Sequence, residues 1–344
     1  MHTLLVTGGS GFIGSNFILH VLRHFPQVRV HNIDKLDYNS NKNAVNPAEH
    51  AQYTFHHADI CDKNKVQSIL EDHNIDVVVH MAAQSHVDRS FEMPEQFVRD
   101  NVVGTLTLLQ CAQQYGKLKL FLHFSTDEVY GDNPSDDHVF RETSPLNPTN
   151  PYSATKASAE MLALAYYHSY HLPIIISRCN NVYGPGQYPD KVIPRFIRLL
   201  QAGRPCPVHG DGLQSRSFLH VHDVCTAVMR ILDKGVVGRT YNVGHCREYT
   251  ILQVIRLLLE VMGKSHTVVE DVVEFIQDRP YNDKRYNIDD STLRALGWRE
   301  SITFEDGLRT LVTNVDPQGT QDADARLLPE SRDRLPGAAH VPVG

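Results

Sequence analysis

The sequence predicts an α/β protein whose first half folds as a doubly wound parallel sheet. Between residues 3 and 180, short runs of apolar and β-branched residues alternate with segments of helical periodicity. This alternation is typical of parallel sheets covered by helices. A chain of 344 residues with 41% hydrophobic residues can also bury a large core. We therefore expect one large α/β unit or two closely joined domains.

The predicted elements alternate along this first half. Strands are predicted at Thr3–Thr7, Val28–Ile33, Tyr53–His57, Val77–His80, Leu118–Phe124 and Ile174–Arg178. Helical spacing is predicted at Gly14–Phe25, Lys63–His73, Asn101–Tyr115 and Tyr152–Tyr170. Together these elements account for a dinucleotide-binding domain over residues 1–180.

The second half of the sequence differs from the first in composition and in the length of its predicted helices. Gly and Pro become frequent after residue 180 and the predicted helices are shorter, which indicates a smaller α/β lobe over residues 181–315. Residues 239–243 can return to the main sheet as a further strand, so the two domains would be interleaved. Residues 316–344 lack aromatic side chains and are rich in proline, glycine and charge. They are predicted to form a disordered tail.

The composition excludes several classes of partner. The net charge is −7, and Lys and Arg are scattered along the chain, so neither nucleic acid nor an anionic membrane is expected. No apolar run approaches the roughly 20 residues of a membrane span, and the first strand leaves no room for a signal peptide. The six cysteines form no C-x-x-C pair. We expect reduced thiols in a cytoplasmic protein, and no metal site is predicted.

A glycine-rich loop follows the first predicted strand. Gly8 permits the turn, Gly11 permits close approach of a pyrophosphate, and Gly14 lets the helix pack on the sheet. Asp34 ends the second strand, where a carboxylate accepts hydrogen bonds from the adenosine ribose and repels a 2′-phosphate. NAD is therefore favoured over NADP, although Lys35 slightly weakens this preference.

Two short segments extend the predicted cofactor site. Asp59 and Ile60 follow the third strand. The Asp59 carboxylate suits the exocyclic amine of adenine and the Ile60 side chain suits its ring, although an ordinary turn is an equal alternative. Ala82 and Ala83 follow the fourth strand, and their small side chains allow the cofactor backbone to lie close.

The candidate catalytic side chains come from two motifs, Ser125–Gly131 and Tyr152–Lys156. A tyrosine four residues before a lysine lies on the same side of a helix. The lysine charge is expected to lower the pKa of the phenol and make Tyr152 a general base. The spacing alone is common in solvated helices, but Asp127 and Glu128 lie at a strand end, at the carboxyl edge of the predicted sheet.

These motifs resemble those of the extended short-chain dehydrogenase/reductases, whose fold is Rossmann-type. Within that superfamily the chain is similar to the nucleoside-diphosphate-glucose 4,6-dehydratases, which act on dTDP-glucose or UDP-glucose. The resemblance rests on four segments: the glycine loop after the first strand, Ser125–Gly131, residues 150–156 and residues 181–185. It covers residues 1 to about 313. The Thr-Asp-Glu sequence separates these dehydratases from the 4-epimerases of the same superfamily.

The resemblance implies NAD as cofactor and a defined set of contacts. The cofactor contacts are Gly8, Gly11, Phe12, Ile13, Gly14, Asp34, Lys35, Asp59, Ile60, Ala82, Ala83, Asn101, Tyr152, Lys156 and Val182. The substrate contacts are Ser85, Thr126, Asn181, Lys191, Val192, Pro207, Val208, His209, Arg216, Thr250, Arg279 and Asn282. His209 and Thr250 depart from the bacterial pattern. Similarity to eukaryotic and large-virus members favours UDP-glucose, and dTDP-glucose remains open.

The resemblance also implies a role for each catalytic residue. Tyr152, with Lys156 beside it, takes the proton of the C4 hydroxyl while NAD accepts the hydride, and Thr126 holds the C4 oxygen. Glu128 then removes the C5 proton, and Asp127 protonates the departing C6 hydroxyl. Two adjacent carboxylates disfavour joint ionisation, which keeps one of them protonated.

Two alternatives to a dehydratase are open. A nucleotide-sugar 4-epimerase needs threonine, tyrosine, lysine and NAD but no acid/base pair, so the two carboxylates argue against it. A non-catalytic NAD-sensing protein would be expected to have lost catalytic groups, and all of them are present.

A homodimer is also implied, through a four-helix contact of the helices over 101–115 and 152–170. The second helix carries the small residues Ala154, Ala157, Ala159, Ala163 and Ala165, which allow close helix packing. The alternative is that these alanines pack on the sheet of their own chain.

Overall fold

The fold is built around twelve strands and eleven α-helices in the residues described. The computed structural model describes residues 1–314 except 134, 136–137, 246, 279–280 and 282. The strands are β1 (Thr3–Thr7), β2 (Arg29–Asp34), β3 (Tyr53–His57), β4 (Val77–His80), β5 (Leu120–Thr126), β6 (Ile174–Cys179), β7 (Asn181–Tyr183), β8 (Cys206–His209), β9 (Ser215–His220), β10 (Thr240–Val243), β11 (Glu248–Thr250) and β12 (Val273–Ile276).

The helices are numbered in the same way. They are α1 (Phe12–His24), α2 (Lys63–Asp72), α3 (Val87–Glu92), α4 (Pro94–Phe97), α5 (Gly104–Tyr115), α6 (Pro151–Tyr170), α7 (Val192–Gln201), α8 (Val221–Lys234), α9 (Ile251–Val261), α10 (Ser291–Ala295) and α11 (Phe304–Asn314). A π-helical segment, Val98–Val103, joins α4 to α5, and 3₁₀ turns lie at Pro47–Glu49, Asp127–Tyr130 and Val269–Val272.

Seven of the strands form one parallel sheet in the order β10-β6-β5-β4-β1-β2-β3. The predicted fold class, a Rossmann-type doubly wound parallel sheet, is therefore confirmed. The return strand predicted near 239–243 is also present, because β10 pairs with β6. The division into domains at residue 180 stays a prediction, and the predicted tail, 316–344, lies outside the described residues.

Helices cover both faces of this sheet, which explains why its central strands are almost continuously apolar. On one face, α1 and α8 bury Phe17, Val21 and Val228 against β1 and β4. On the other face, α2, α5 and α6 enclose the second core cluster, which includes Leu70 and Leu109. The sheet is held rigidly between these two layers, so the ends of its strands can position a site.

The topology places that site at the carboxyl edge. The connection from β1 leads to β2 on one side, while β4 lies on the other side of β1. In such sheets ligands bind in the crevice outside this switch point. The glycine loop follows β1, Asp34 ends β2, and Thr126 ends β5. Strand β5 starts and ends two residues later than predicted, because Ser125 and Thr126 continue the pairing with β6.

A second lobe faces the crevice. It contains a three-stranded sheet, β11-β9-β7, and a two-stranded sheet, β12-β8. Its core includes Phe196 of α7, Leu258 of α9 and Leu308 of α11. Because β7 follows β6 almost directly and β10 returns to the main sheet, this lobe is anchored to the sheet at two points.

The composition of the chain led to two predictions, one about its helices and one about its cysteines. Among the described residues, none of the helices combines the length and the apolar character that a membrane crossing requires. Five cysteines lie within that part of the chain, at 61, 111, 179, 206 and 225, and all are free thiols, as predicted.

Candidate active site

A cavity of about 1250 Å³ lies at the carboxyl edge of the sheet, between the sheet and the second lobe. Single small-molecule sites usually occupy roughly 300–1000 Å³, so this cavity has room for two ligands. Most predicted contact residues line it: Gly8, Gly11, Phe12, Ile13, Gly14, Asp34, Lys35, Asp59, Ile60, Ala82, Ala83, Ser85, Thr126, Glu128, Tyr152, Lys156, Asn181, Val182, Lys191, Val192, Pro207, Val208, His209 and Arg216.

The glycine loop forms one end of the cavity. Gly8 has φ +71°, and a Cβ there would lie 2.7 Å from the Ala82 Cα. Gly11 is the N-cap of α1 and provides no side-chain cap, and the first turn of α1 carries no acidic residue. The first backbone N–H groups of α1 therefore face the cavity without a side-chain acceptor, as in an anion-binding helix terminus.

Asp34 is buried at the end of β2 and organises the neighbouring loops. Its carboxylate accepts hydrogen bonds from the Ser10 N–H at 2.9 Å, the Leu36 N–H at 2.8 Å and the Ser40 hydroxyl at 3.0 Å. A carboxylate has about four lone-pair positions. At least one position is left for a further donor, so Asp34 can serve both the loops and a ligand hydroxyl.

Two predicted cofactor contacts on this wall, Lys35 and Asp59, are engaged in ion pairs. The Lys35 Nζ lies 2.5 Å from the Asp100 carboxylate and 3.6 Å from that of Asp37. The Asp59 carboxylate lies 2.8 Å from the Arg99 guanidinium. The Lys35 charge is therefore neutralised within the protein, which answers the weak objection that it raised to a preference for NAD.

The catalytic candidates begin at the end of β5. Thr126 is the N-cap of the turn Asp127–Tyr130. Its hydroxyl accepts a hydrogen bond from the Glu128 N–H at 3.3 Å and donates one to the Asp127 carboxyl at 3.2 Å. This turn reverses the direction of successive side chains, so the two adjacent carboxyl groups enter different environments.

Asp127 is the buried member of the pair, with only 2% of its surface exposed. The Asn180 side-chain amide donates a hydrogen bond to its carboxyl at 2.5 Å. Burial, followed by the charge of Glu128, raises the pKa of Asp127 to about 7. A carboxyl with that pKa keeps its proton for about half the time at neutral pH, which suits a proton donor.

Glu128 is the accessible member. It is partly exposed and lines the cavity, and its carboxylate accepts a hydrogen bond from the Asn150 amide at 3.4 Å. The difference in burial between Asp127 and Glu128 thus explains how one carboxyl can keep its proton while the other is accessible.

Tyr152 and Lys156 lie on the first turns of α6, as the spacing predicted. The expected fall in the pKa of Tyr152, however, is wrong for this structure. Burial, followed by the charge of Glu128, raises the pKa of Tyr152 far above its ordinary value, and the opposing effect is a hydrogen bond with Thr126. The Lys156 ammonium instead donates to the Phe124 carbonyl at 2.8 Å, and burial lowers the pKa of Lys156 to about 8.

Basic side chains gather on the part of the wall that belongs to the second lobe. They are Lys191, Arg195, Arg198, Arg204 and Arg216. The Arg216 guanidinium also stacks on the Tyr286 ring, 4.8 Å from its centroid. In a protein of net charge −7, this local excess of positive charge suits a diphosphate.

Five predicted site residues lie off the cavity wall or outside the described residues, and the first of them is the buried acid Asp127. Asn101 does not line the cavity, because its amide nitrogen donates to the Gln84 carbonyl at 3.0 Å and to the Thr155 hydroxyl at 2.9 Å. Thr250 also stays off the wall, since it caps α9 by accepting from the Gln253 N–H. Arg279 and Asn282 lie outside the described residues.

Several residues at the site were not predicted from the sequence. Asn180 and Asn150 contact the two carboxyl groups, while Arg195 and Arg204 add to the basic wall. Asn180 follows β6 directly and adjoins the predicted Asn181, so its position beside β5 could have suggested it. Neither arginine belongs to a recognisable motif. Arg195 lies on α7 and Arg204 lies in the loop after it, and the fold brings both to the cavity.

Comparisons with known proteins identify the family of this chain. The family model described as GDP-mannose 4,6 dehydratase matches residues 5–311. The chain is 42% identical over 312 residues to the dTDP-D-glucose 4,6-dehydratase of Mus musculus, covering 90% of this chain and 87% of that protein. It is similar in structure to the dTDP-glucose 4,6-dehydratase of Streptomyces venezuelae with NAD and TYD bound, with a TM-score of 0.85 and 39% identity, covering 90% and 96% of the two chains.

A longer plant protein is equally similar over part of its length. The chain is 43% identical over 333 residues to the trifunctional UDP-glucose 4,6-dehydratase/UDP-4-keto-6-deoxy-D-glucose 3,5-epimerase/UDP-4-keto-L-rhamnose-reductase of Arabidopsis thaliana. This match covers 96% of the present chain but 50% of the plant protein. The chain therefore spans about half the length of that relative.

Proposed function

This chain belongs to the GDP-mannose 4,6 dehydratase family, and on that premise we propose that it is an NAD-dependent hydro-lyase acting on a nucleoside-diphosphate-glucose. The reaction removes water between C5 and C6 and leaves a 4-keto-6-deoxy sugar. The relatives named for glucose nucleotides support glucose as the sugar. The substrate is either UDP-glucose or dTDP-glucose.

One observation carries this proposal: two adjacent carboxyl groups at the end of β5 differ sharply in burial. Asp127 is enclosed and has its pKa raised to about 7, whereas Glu128 lines the cavity. Elimination of water needs an acid for the leaving hydroxyl and a base for the carbon-bound proton. A 4-epimerisation needs neither, so this pair favours the dehydratase over the epimerase.

The cavity fits NAD at the end formed by β1, β2 and β4. Gly8 and Ala82 leave no space for a side chain between them, the uncapped start of α1 offers N–H groups, and Asp34 has a lone pair to spare. These features would hold the pyrophosphate and the ribose. When bound, oxidised NAD supplies a hydride acceptor for C4, a positive charge, and later the hydride that returns to C6.

The side chains of the protein handle the protons. Tyr152 takes the proton of the C4 hydroxyl while Thr126 holds the C4 oxygen, giving the 4-ketone. The ketone makes the C5 proton acidic, and Glu128 removes it. Asp127 gives its proton to the C6 hydroxyl, which leaves as water as the C5–C6 double bond forms. A proton then returns to C5, so the net change is the loss of one water.

Incubation of the purified protein with UDP-glucose and dTDP-glucose in separate reactions tests this proposal. We expect a product lighter by one water, detected by mass spectrometry, and faster turnover of UDP-glucose. The sequence resemblance supports that preference, while the relatives at 43% and 42% identity are named for different nucleotides. A product of unchanged mass with inverted C4 would indicate an epimerase, and the absence of any reaction with both substrates would contradict the proposal.

Asp34 should control the choice between NAD and NADP. Asp34→Asn keeps the size of the side chain, but it replaces one accepting oxygen with an amide donor and removes the negative charge that repels a 2′-phosphate. We expect weaker binding of NAD and tighter binding of NADP, measured as two dissociation constants by fluorescence titration. Asp62→Asn, at the N-cap of α2, serves as a control. Equal use of both cofactors by the unchanged protein would contradict this role of Asp34.

A homodimer formed through α5 and α6 is the proposed assembly. The alanines of α6 divide between two faces: Ala157, Ala159 and Ala163 are buried, whereas Ala154 and Ala165 are exposed. Ser158 and Met161 extend the exposed face at helical spacing, and the neighbouring Val98 and Val103 are also exposed. A grouped apolar surface of this kind is typical of a protein interface.

Met161→Glu should therefore dissociate the dimer. A charge placed in a closely packed helix interface is poorly solvated, so sedimentation at micromolar concentration should change from dimer to monomer. Leu213→Glu, at an exposed apolar residue of the second lobe, should leave the dimer intact. A monomer of the unchanged protein at this concentration would rule out the assembly. The cytoplasmic location predicted from the sequence stays a prediction.

A further inference from the structure

Three histidines lie together on the α2 side of the main sheet, away from the cavity. They are His31 of β2, His56 of β3 and His73, the C-cap of α2. Each ring has one nitrogen that lies within 4.8 Å of a nitrogen of both other rings. Because the three residues are widely spaced in the sequence and match no metal motif, the sequence predicted no metal site.

The parallel pairing of β2 with β3 brings two of the rings together. Ile33 is opposite His56 and His31 is opposite Thr54, so His31 and His56 are diagonal neighbours on one face of the sheet. The His31 Nδ1 and the His56 Nε2 share a hydrogen bond of 3.0 Å, so a metal ion would have to displace the proton between them. Two nitrogen ligands of one tetrahedral zinc ion are about 3.3 Å apart for bonds of 2.0–2.1 Å. This pair therefore already has close to the required spacing.

The third ring completes the cluster from the helix. The His73 ring is stacked on the His31 ring at a centroid distance of 4.2 Å, and its centroid lies 5.2 Å from that of His56. Binding of a shared ion would require the His73 ring to rotate out of this stack. His73 is half-buried and lies at the end of its helix, and its ring does not belong to a core cluster of the described residues.

We propose that His31, His56 and His73 form a site for a divalent transition metal of the zinc class. Neutral imidazoles are ligands for zinc, cobalt, nickel and copper, whereas magnesium and calcium prefer oxygen. Since His56 and His73 are partly exposed, water would complete the coordination. The ion would join the edge strand β3 and its neighbour β2 to the end of α2, and so it would stabilise this side of the fold.

The surrounding charges determine how tightly the site binds. Among the described residues, no carboxylate belongs to the cluster. The cationic side chains of Arg29 and Lys65 lie near His31 and His56, respectively. These charges repel a divalent cation. The affinity should consequently be lower than that of a closed cysteine-rich zinc site, and Lys65→Gln should increase it.

Metal titration of the full chain, freed of any purification tag and of bound metal, tests the proposal. We expect about one equivalent of Zn²⁺ by equilibrium dialysis, and visible absorption typical of nitrogen-coordinated tetrahedral Co²⁺. His73→Ala removes a ligand of the ion. It should weaken Zn²⁺ binding by at least the roughly 10–100-fold that follows from loss of a residue that only supports a ligand. Zn²⁺ should raise the Tm of the unchanged protein, and this shift should be lost in His73→Ala.

Two further variants make the result interpretable. His24→Ala removes an exposed ring that lies tilted against the His20 ring on α1, and it should leave binding unchanged. His56→Ala provides a second test at the cluster if His73→Ala alters the circular dichroism spectrum. Binding that is absent, or that is the same in the unchanged protein and in the cluster variants, would overturn the proposal.

Discussion

Tyr152→Phe should stop the reaction before the C4 hydroxyl is oxidised. The Tyr152 phenol, at the start of α6, contacts Thr126 at the end of β5, and Tyr152 lines the cavity. Without its oxygen, the C4 proton has no acceptor while the hydride leaves. A positioned base contributes roughly 10²–10⁴-fold, so no absorbance of reduced cofactor should develop on the timescale of the unchanged protein. Stopped-flow absorbance after mixing with substrate measures this step.

A matched variant separates chemistry from folding. Tyr170→Phe removes a hydroxyl from the exposed end of the same helix and should leave the oxidation rate unchanged. Binding of cofactor to Tyr152→Phe should also be retained, because Asp34 and the glycine loop are untouched. If Tyr152→Phe reduced the cofactor at the native rate, the assignment of Tyr152 as the base would be wrong.

The raised pKa of Tyr152 shows what this role requires. Burial and the charge of Glu128 both favour the protonated phenol. The Lys156 ammonium is buried one turn away and is engaged with the Phe124 carbonyl. A protonated phenol cannot accept a further proton, so the base role requires Tyr152 to release its own proton to solvent when the cofactor binds. The positive charge of the oxidised cofactor would favour this release. Spacing along a helix predicted the neighbours of Tyr152 but not the balance of burial and charge around it.

The fold was predictable because its signals are local. Strands such as Thr3–Thr7 and Val77–His80 are short apolar runs between glycine-rich or polar turns, and both were predicted with their observed ends. The segment 98–103 was not predicted as a wide helical turn. Its apolar periodicity reads as an ordinary helix, and the distinction depends on how the backbone packs against α6.

The site was predictable only where its residues form motifs. Asp127 and Glu128 are adjacent in sequence, and their opposite environments arise from the turn after Thr126 and from Asn180, which lies between β6 and β7. The histidine cluster illustrates the same limit, since it depends on the register of β2 with β3. Both arrangements depend on contacts between residues that are far apart in the sequence, and no local sequence pattern predicts those contacts.

The pKa of Asp127 predicts a dependence of stability on pH. The folded value of about 7 lies above the roughly 3.9 of an unfolded aspartate, so the folded state binds more protons between these values. Stability contributed by this proton is complete below pH about 4 and is lost as the pH rises through about 7. Asp127→Asn should remove this loss, which thermal unfolding at pH 5 and pH 8 can detect.

The same two carboxyl groups should separate oxidation from elimination. In Asp127→Asn and Glu128→Gln, the C4 oxidation should stay largely intact, because Thr126, Tyr152 and Lys156 are unchanged. Elimination should slow by roughly 10²–10⁴-fold, the usual contribution of a positioned acid or base. In the unchanged protein, elimination should also slow as the pH rises above about 7, where Asp127 loses its proton.

Hydrogen exchange distinguishes the two roles. Glu128→Gln should block exchange of the C5 hydrogen with solvent deuterium, because the amide cannot accept the proton. Asp127→Asn should still exchange C5 while it fails to release the C6 hydroxyl, because the accessible Glu128 is retained. Single-turnover absorbance combined with mass-detected deuterium uptake measures both steps. Exchange at the native rate in Glu128→Gln would show that Glu128 is not the base, and the assignment of the two carboxyl groups would then have to be abandoned.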